Sequence, residues 1–310
     1  MDINSKIAVL GHRGMVGSAV CRQLVKMGYT NIVNSGDIDL VNQANTYGWL
    51  TENKPEYVFL VAGKVGGIRT NNADRAQFIY DNSMIAANVI HFSHRIGVKK
   101  LLYTASSCAY PVNCDKPIKE EYLLSGSLEP TNEPYAVSKI LGIKLCESYR
   151  RQYNDDFICA MPTNSYGIND KYDLRNSHVL PAILRQVIVA KEKGLKEVHL
   201  WGTGMPKREF IYVDDMAEAL VFLMNTQSQY DIVNVGTGKD VSIKVLAELV
   251  KDAVGWDGVF KFNGVMDGML EKRLSVQRIN MMGWEAKTEL TDGIKLTLNN
   301  IYENNLHKNW

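Results

Sequence analysis

Tyr135 and Lys139 stand four residues apart in EPYAVSK, a spacing that puts both on one face of a helix. A phenol with an ordinary pKa of about 10 is a poor acid or base at neutral pH on its own. A neighbouring ammonium favours the phenolate and lowers that pKa, so the pair is expected to act in acid–base chemistry. Many helices contain such a pair by accident. What singles this one out is TASSCAYP (104–111) upstream, which gathers Ser106, Ser107 and Cys108. Serines near a Tyr–Lys pair suit the reduction of a carbonyl. A cysteine among them has no part in hydride transfer and poses the question of a second reaction.

A second motif lies near the N-terminus. The apolar run KIAVL leads into GHRGMVG (11–17), and a helical stretch, SAVCRQLVKMG, follows. Gly11, Gly14 and Gly17 are spaced G-x-x-G-x-x-G, not the commoner G-x-G-x-x-G. A glycine-rich loop can simply turn the chain. In a strand–turn–helix context it serves close approach of backbone to phosphate, and the helix N-terminus at Met15 and Val16 offers amide donors to a pyrophosphate. The following strand ends in VNSGDIDL. NAD-binding chains usually place an acid there for the ribose; Asn34 and Ser35 stand in its place, and neither repels a 2′-phosphate. Arg13 can pair with one, and Asp39 is better placed for the adenine. NADP(H) is favoured, and NAD(H) stays open.

These residues need elements to position them. Strand-like runs at 7–10, 31–33, 57–61, 101–104 and 157–161 alternate with helical patterns at 16–26, 79–96 and 135–153. That alternation indicates an α/β fold, a Rossmann-type doubly wound parallel sheet. A strand at 197–201 and helices at 213–225 and 243–254 belong to a less regular second half. The expected organisation is a dinucleotide-binding domain over 1–165, completed by about 211–240, and a smaller discontinuous C-terminal substrate lobe over 166–210 and 241–310.

The chain has 310 residues, with 35 basic and 34 acidic side chains, a balance that argues against nucleic acid or an anionic membrane as partner. No apolar run approaches the roughly 18 residues of a membrane span, and the start, MDINSKIAVLG, runs straight into a strand. Five scattered cysteines form no disulfide framework and no zinc-like spacing, so a reduced, cytoplasmic setting is expected. Cys21, Cys146 and Cys159 read as small core residues, Cys114 as a loop residue, and His91 and His94 as structural or solvent-facing. KEKGLKE (191–197) reads as a solvated helix end.

Taken together, GHRGMVGSA, KVGGI (64–68), SSCAYP, EPTNEPYAVSK, MPTNSYG (161–167), NSHVLPA (176–182), WGTG (201–204) and REFIYVDD (208–215) resemble the extended short-chain dehydrogenase/reductase family, nearest its epimerase-reductases of GDP-4-keto-6-deoxy sugars. The likeness covers nearly the whole chain. It implies that Ser106 holds the substrate carbonyl, that Tyr135 gives it a proton, and that Lys139 holds the nicotinamide ribose and tunes Tyr135. Cys108 and His178 are implied to be the acid/base pair of an epimerisation. Pro162, Asn164 and Ser165 would lie along the nicotinamide, with Ala62 and His178 also at the cofactor. Ser107, Asn164, Arg185, Trp201, Arg208 and Lys272 would contact the GDP-sugar. Homodimers of similar chains pair through two long helices, here 79–96 and 135–153. The chain departs from the resemblance at Asn34, Ser35 and Gly36, at Gln186 where a basic residue is usual, and at Glu271 within DGMLEKR (267–273).

The cysteine then has a use. A ketone at C4 acidifies the hydrogens on C3 and C5, and inverting those centres needs one group to take a proton and another to return it. A thiol of pKa about 8.5 and an imidazole of about 6.5 can both exchange protons near neutrality. The leading expectation is an NADPH-dependent epimerase-reductase acting on a GDP-4-keto-6-deoxy sugar. The alternative is a C4-reductase without epimerase action on a GDP-4-keto heptose or dideoxyhexose. A cofactor-sensing relative that catalyses nothing is the third reading; loss of the Tyr or Lys would be its mark, and both are present.

Overall fold

The computed structural model describes residues 1–226, 229–265 and 269–310, apart from the side chains of Ile68, Arg69 and Asn309. Asp267 and Gly268 of the DGMLEKR stretch lie outside the described residues. In chain order the strands are β1 (Ile7–Leu10), β2 (Ile32–Asn34), β3 (Tyr57–Leu60), β4 (Lys100–Thr104), β5 (Asp156–Pro162), β6 (Asn164–Tyr166), β7 (Glu197–Leu200), β8 (Lys207–Tyr212), β9 (Ile232–Val235), β10 (Asp240–Ser242), β11 (Val259–Phe262) and β12 (Glu271–Lys272). The helices are α1 (Met15–Lys26), α2 (Gln43–Asn53), α3 (Ile68–Ala73), α4 (Arg75–Arg95), α5 (Glu133–Tyr153), α6 (Val179–Glu192), α7 (Val213–Asn225), α8 (Ile243–Val254), α9 (Gln277–Met281) and α10 (Leu290–Glu303).

Among the described residues, six parallel strands form the main sheet in the order β2-β1-β3-β4-β5-β9. Apart from the edge strand β2, its strands are buried on both faces, as a parallel sheet with helices on each side requires. Ile7, Val9, Phe59, Leu102, Ile158 and Val233 face α1 and α7, while Ala8, Leu10, Val58, Leu101, Tyr103 and Phe157 face α4 and α5. From β1 the chain crosses to β2 on one side and later to β3 on the other. The carboxyl ends of β1 and β3 therefore bound a switch-point crevice, where ligands of such sheets bind.

The second lobe is built on β8, which pairs with β6 and β12 in parallel and with β10 antiparallel. It adds the β7–β11 pair and a core between α6, α8 and α10 that includes Leu184, Val187, Leu246, Val250, Ile294 and Leu298. One stretch differs from the expected division. Ile279 of α9 and Trp284 pack into the core under α1 and α7, although 241–310 was assigned to the substrate lobe. Two apolar side chains on that short return reach the larger core, and burial there outweighs sequence order.

The 21-residue helices α4 and α5 pack on each other, with Tyr80, Val137 and Leu141 exposed on their outer side. On the inner side α5 lies close to β4. A Cβ placed on Gly142 would be 2.4 Å from Cε1 of Tyr103, whose ring is itself buried. Glycine inside a helix costs up to about 1 kcal/mol against alanine. Overpacking a core costs about 1–3 kcal/mol, so the overlap wins. Gly142→Ala is expected to lower the thermal unfolding midpoint despite its better helix propensity; an unchanged or raised midpoint would show that the close approach is not constrained.

Candidate active site

The glycine turn occupies the crevice between β1 and β3. Gly11 has φ +102°, and a Cβ on it would fall 2.7 Å from the Ala62 nitrogen; a Cβ on Gly17 would fall 2.1 Å from the Gly11 carbonyl oxygen. The Gly14 N–H donates to that same oxygen at 3.0 Å. No side chain caps α1 at Gly14, so the first-turn amides at Met15, Val16 and Gly17 keep the donors that a helix start leaves unsatisfied. This is a fitting cradle for a pyrophosphate. Beyond β2, Arg13 is ion-paired with Asp37, and both are exposed. Asp39 Oδ1 accepts the Val41 N–H at 3.0 Å, which fixes the loop beside the crevice.

The catalytic side chains expected from sequence meet at the carboxyl end of β4. Ser106 begins a 3-10 turn over Ser107–Ala109, and its Oγ accepts the Cys108 N–H at 3.2 Å. Tyr135 and Lys139 in the first turns of α5 are 8% and 4% exposed. Lys139 Nζ donates to the Thr104 carbonyl at 3.0 Å and lies 5.8 Å from the Tyr135 ring centroid. The outcome for Tyr135 differs from the expected phenolate. Burial pushes its pKa up, the Cys108 charge adds to the rise, and a hydrogen bond with Ser106 opposes both. The phenol therefore holds its proton at neutral pH and is set up as a donor. Burial lowers Lys139 from 10.5 to about 8.

Cys108 has a cation beside it: Lys272 Nζ is 3.3 Å from its Sγ. Burial pushes the thiol up, but the Lys272 charge and the hydrogen bonds with Ser106 and Lys272 prevail, and its pKa is lowered. His178 is the N-cap residue of α6, and its side chain makes no cap bond. Its side chain is open to solvent, though protein atoms crowd round the ring. Desolvation there, then Lys171 and Lys272, holds its imidazole below its ordinary pKa. The Lys272 charge thus acts on both expected acid/base residues, strongly on Cys108 and least among the causes at His178. The loop carrying His178 abuts the KVGGI stretch, since a Cβ on Gly67 would be 3.1 Å from the Ser177 carbonyl oxygen.

The remaining expected contacts divide. Pro162, Asn164 and Ser165 follow one another at the β5–β6 junction, where Asn164 Nδ2 donates to the Glu209 carbonyl at 2.8 Å. Trp201 is 49% exposed, and Arg208 lies on β8 in register with Lys272. Two expected contacts are engaged within the protein itself. Ser107 is buried beneath its turn, which leaves its side chain little to offer a ligand. Arg185 donates to the Tyr172 carbonyl at 3.0 Å and lies over the Trp310 ring, in a pocket that shares none of the other expected site residues. The aromatic face and the free carbonyl hold its guanidinium there.

Sequence reasoning missed three side chains. Asn82, buried on α4, accepts the Lys64 N–H at 2.8 Å and fixes the Gly63–Lys64 turn over Lys139. Glu129 lies close enough to Cys108 to raise its pKa in part. Glu209, in REFIYVDD, is fully buried beneath the cleft. A lone Asn or Glu carries no spacing signal, and each acts through contacts with distant segments.

A model of the NAD dependent epimerase/dehydratase family matches residues 7–236. The chain belongs to that family. It is 48% identical over 299 residues to GDP-L-fucose synthase 1 of Arabidopsis thaliana, covering 96% of this chain and 93% of that one. It is 43% identical to the GDP-L-fucose synthase of Escherichia coli K12, with 96% and 97% covered. Among solved structures, a GDP-mannoheptose C4 reductase from Campylobacter jejuni with NADP bound superposes with a TM-score of 0.88 at 39% identity, covering 97% of this chain and 99% of that one. The epimerase/dehydratase fold thus extends over essentially the whole chain.

Gly17→Ala tests the cradle. Its Cβ would fall on the Gly11 carbonyl and move the α1 N-terminus off the crevice, so binding of a nicotinamide dinucleotide, read by fluorescence titration, is expected to weaken at least about tenfold, the cost of 1.4 kcal/mol. Unchanged affinity with the fold intact by circular dichroism would dissociate the turn from cofactor binding.

Proposed function

We propose that this chain is an NADPH-dependent epimerase-reductase that inverts C3 and C5 of a GDP-4-keto-6-deoxy sugar and then reduces C4; relatives 43–48% identical to it are named GDP-L-fucose synthase. The observation that carries the reading is Lys272 Nζ at 3.3 Å from Cys108 Sγ, on the turn that carries Ser106. A simple reductase has no use for a thiol of lowered pKa beside its carbonyl site.

The nicotinamide cofactor, when bound, supplies the hydride. The chain's own groups do the rest. Ser106 and Tyr135 hold the ketone oxygen, and their hydrogen bonds stabilise the negative charge that builds there when a neighbouring carbon loses its proton. Cys108 takes the proton from one face, breaking C–H and forming S–H, while the electron pair moves to the ketone oxygen. His178, protonated from the water it is open to, gives a proton to that carbon from the other face as the electron pair returns from the oxygen; its lowered pKa makes the imidazolium the minor form at neutral pH and the stronger acid. After inversion, Tyr135 O–H gives its proton to the C4 oxygen, a role that suits a phenol kept neutral by burial. Lys139, with one N–H on Thr104, keeps further donors for the nicotinamide ribose.

In this reading the glycine turn and the main sheet bind the dinucleotide, and the lobe built on β8 binds the GDP-sugar through Asn164, Trp201 and Arg208. The outer faces of α4 and α5 pair two copies in a four-helix homodimer. A cytoplasmic setting fits a chain in which no described helix is long and apolar enough to cross a membrane. A second reading, C4 reduction without epimerisation, is favoured by the likeness to the Campylobacter jejuni heptose reductase.

Deuterium incorporation separates them. Cys108→Ser and His178→Asn are expected to abolish or greatly slow solvent-deuterium exchange at C3 and C5 of the 4-keto sugar, yet still reduce a substrate already inverted. Tyr135→Phe should lose about 10²–10⁴-fold in reduction, the contribution of general acid catalysis. Reduction by the unmodified protein with no exchange at either carbon would leave the reductase-only reading standing.

The cofactor preference has its own test. Arg13 must leave Asp37 to meet a 2′-phosphate, and Asp37 repels one. Arg13→Ala is expected to erase most of the preference for NADPH over NADH in kcat/KM, and Asp37→Asn to increase it. A preference untouched by either change would place the discrimination elsewhere.

A further inference from the structure

Lys272 lies on the two-residue strand β12, beside a segment that begins outside the described residues. So short a strand does not fix its own register, and what fixes it is Glu209 on β8. Glu209 Oε2 accepts the Leu274 N–H at 2.7 Å, two residues beyond Lys272. Its Oε1 accepts the Thr237 and Gly238 N–H groups at 2.7 and 2.9 Å. A Cβ on Gly236 would lie 2.1 Å from Oε1, so the β9–β10 turn closes directly on the carboxylate. The outcome is Lys272 paired with Arg208 in the ladder and its Nζ 3.3 Å from Cys108 Sγ.

We propose that Lys272 and Cys108 form an ammonium–thiolate pair in the resting protein, and that Glu209 is the positioning residue that holds Lys272 to the sulfur. Lys272 is then a catalytic cation and not only a contact for the substrate's phosphates. The use made of the pair, proton removal beside the ketone, rests on the epimerase reading; the pair itself does not. Among the described residues, the groups that act on the sulfur are Lys272 from β12, Ser106 from its own turn, Glu129 from the loop before α5, and Tyr135 from α5. Lys272 is the cation among these described groups, so the thiolate depends on it.

The test needs no substrate. The rate of Cys108 alkylation by iodoacetamide is followed against pH, with peptide mass spectrometry separating it from Cys21, Cys114, Cys146 and Cys159. The unmodified protein is expected to show a midpoint below about 8.5, the ordinary thiol value. Lys272→Met should raise that midpoint by about one pH unit or more, and Lys272→Arg should keep it low. Glu209→Gln should raise it in the same direction, with Glu209→Asp read the same way if the Gln variant does not fold. A midpoint at or above about 8.5 in the unmodified protein, or one that Lys272→Met leaves in place, overturns the pair. A midpoint unmoved by both Glu209 variants removes Glu209 from it. Absence of deuterium exchange with the thiol titration as expected would overturn the epimerase reading alone.

Discussion

The cleft depends on a buried carboxylate. Glu209 is fully shielded from solvent, and an unpaired charge there would cost several kcal/mol. It is held by three backbone N–H groups from two separate segments, and its pKa nonetheless rises to about 7 because burial outweighs those bonds. The main chain of the same residue works on the other side: its carbonyl accepts Thr163 Oγ1 at 3.1 Å and Asn164 Nδ2 at 2.8 Å. One residue thus ties the end of β5, the start of β6, the β9–β10 turn and the segment after β12. Removing the carboxylate would leave three buried N–H donors unmet, each a cost of about 1–3 kcal/mol. Lys272 and Arg208 owe their places to this junction.

The other fixed point is the approach of α5 to β4 that Gly142 permits. It brings Tyr135 and Lys139 under cover together, and burial then acts on them in opposite senses. The neutral form is favoured in each case, so the phenol climbs and the ammonium falls. The tuning of tyrosine by lysine that the sequence pattern implies is overridden, because Lys139 turns its charge to the Thr104 carbonyl and the Tyr103 ring, 5.0 Å from Nζ. Desolvation decides the protonation state, and it decides for a proton donor.

The sheet was legible because its strands are apolar runs bounded by turns. The strand expected at 7–10 coincides with β1, those at 57–61, 101–104 and 157–161 differ from β3, β4 and β5 by one residue at one or both ends, and the helices expected at 213–225 and 243–254 coincide with α7 and α8. The second lobe was less legible, since β6, β10 and β12 have two or three residues each and owe their form to pairing with β8. In the site, Gly11, Gly14 and Gly17, Tyr135 and Lys139 could be read from local spacing. The contact of Lys272 with Cys108 spans 164 residues, and no local pattern encodes it. Arg185 shows the same limit: its guanidinium lies over the ring of Trp310, a partner distant in sequence that no local pattern indicates.

Two reactions on one ketone make compatible demands on this site. Removing a proton beside a carbonyl and adding hydride to it both put negative charge on the same oxygen, so donors fixed by Ser106 and Tyr135 serve each step. What epimerisation adds is a base close to that oxygen and an acid on the opposite face. The Ser106 turn is already held rigid by the Cys108 N–H on Ser106 Oγ, so a thiol two residues along inherits its position. In the proposed mechanism the acid is His178 at the start of α6, where its side chain is free of capping duty and open to water for proton exchange. The Lys272 charge favours the charged form of the thiol, whereas the imidazole is held below its ordinary pKa by desolvation first, then by Lys171, with Lys272 adding least. The placement of β12 by Glu209 therefore bears chiefly on the sulfur side of the cleft.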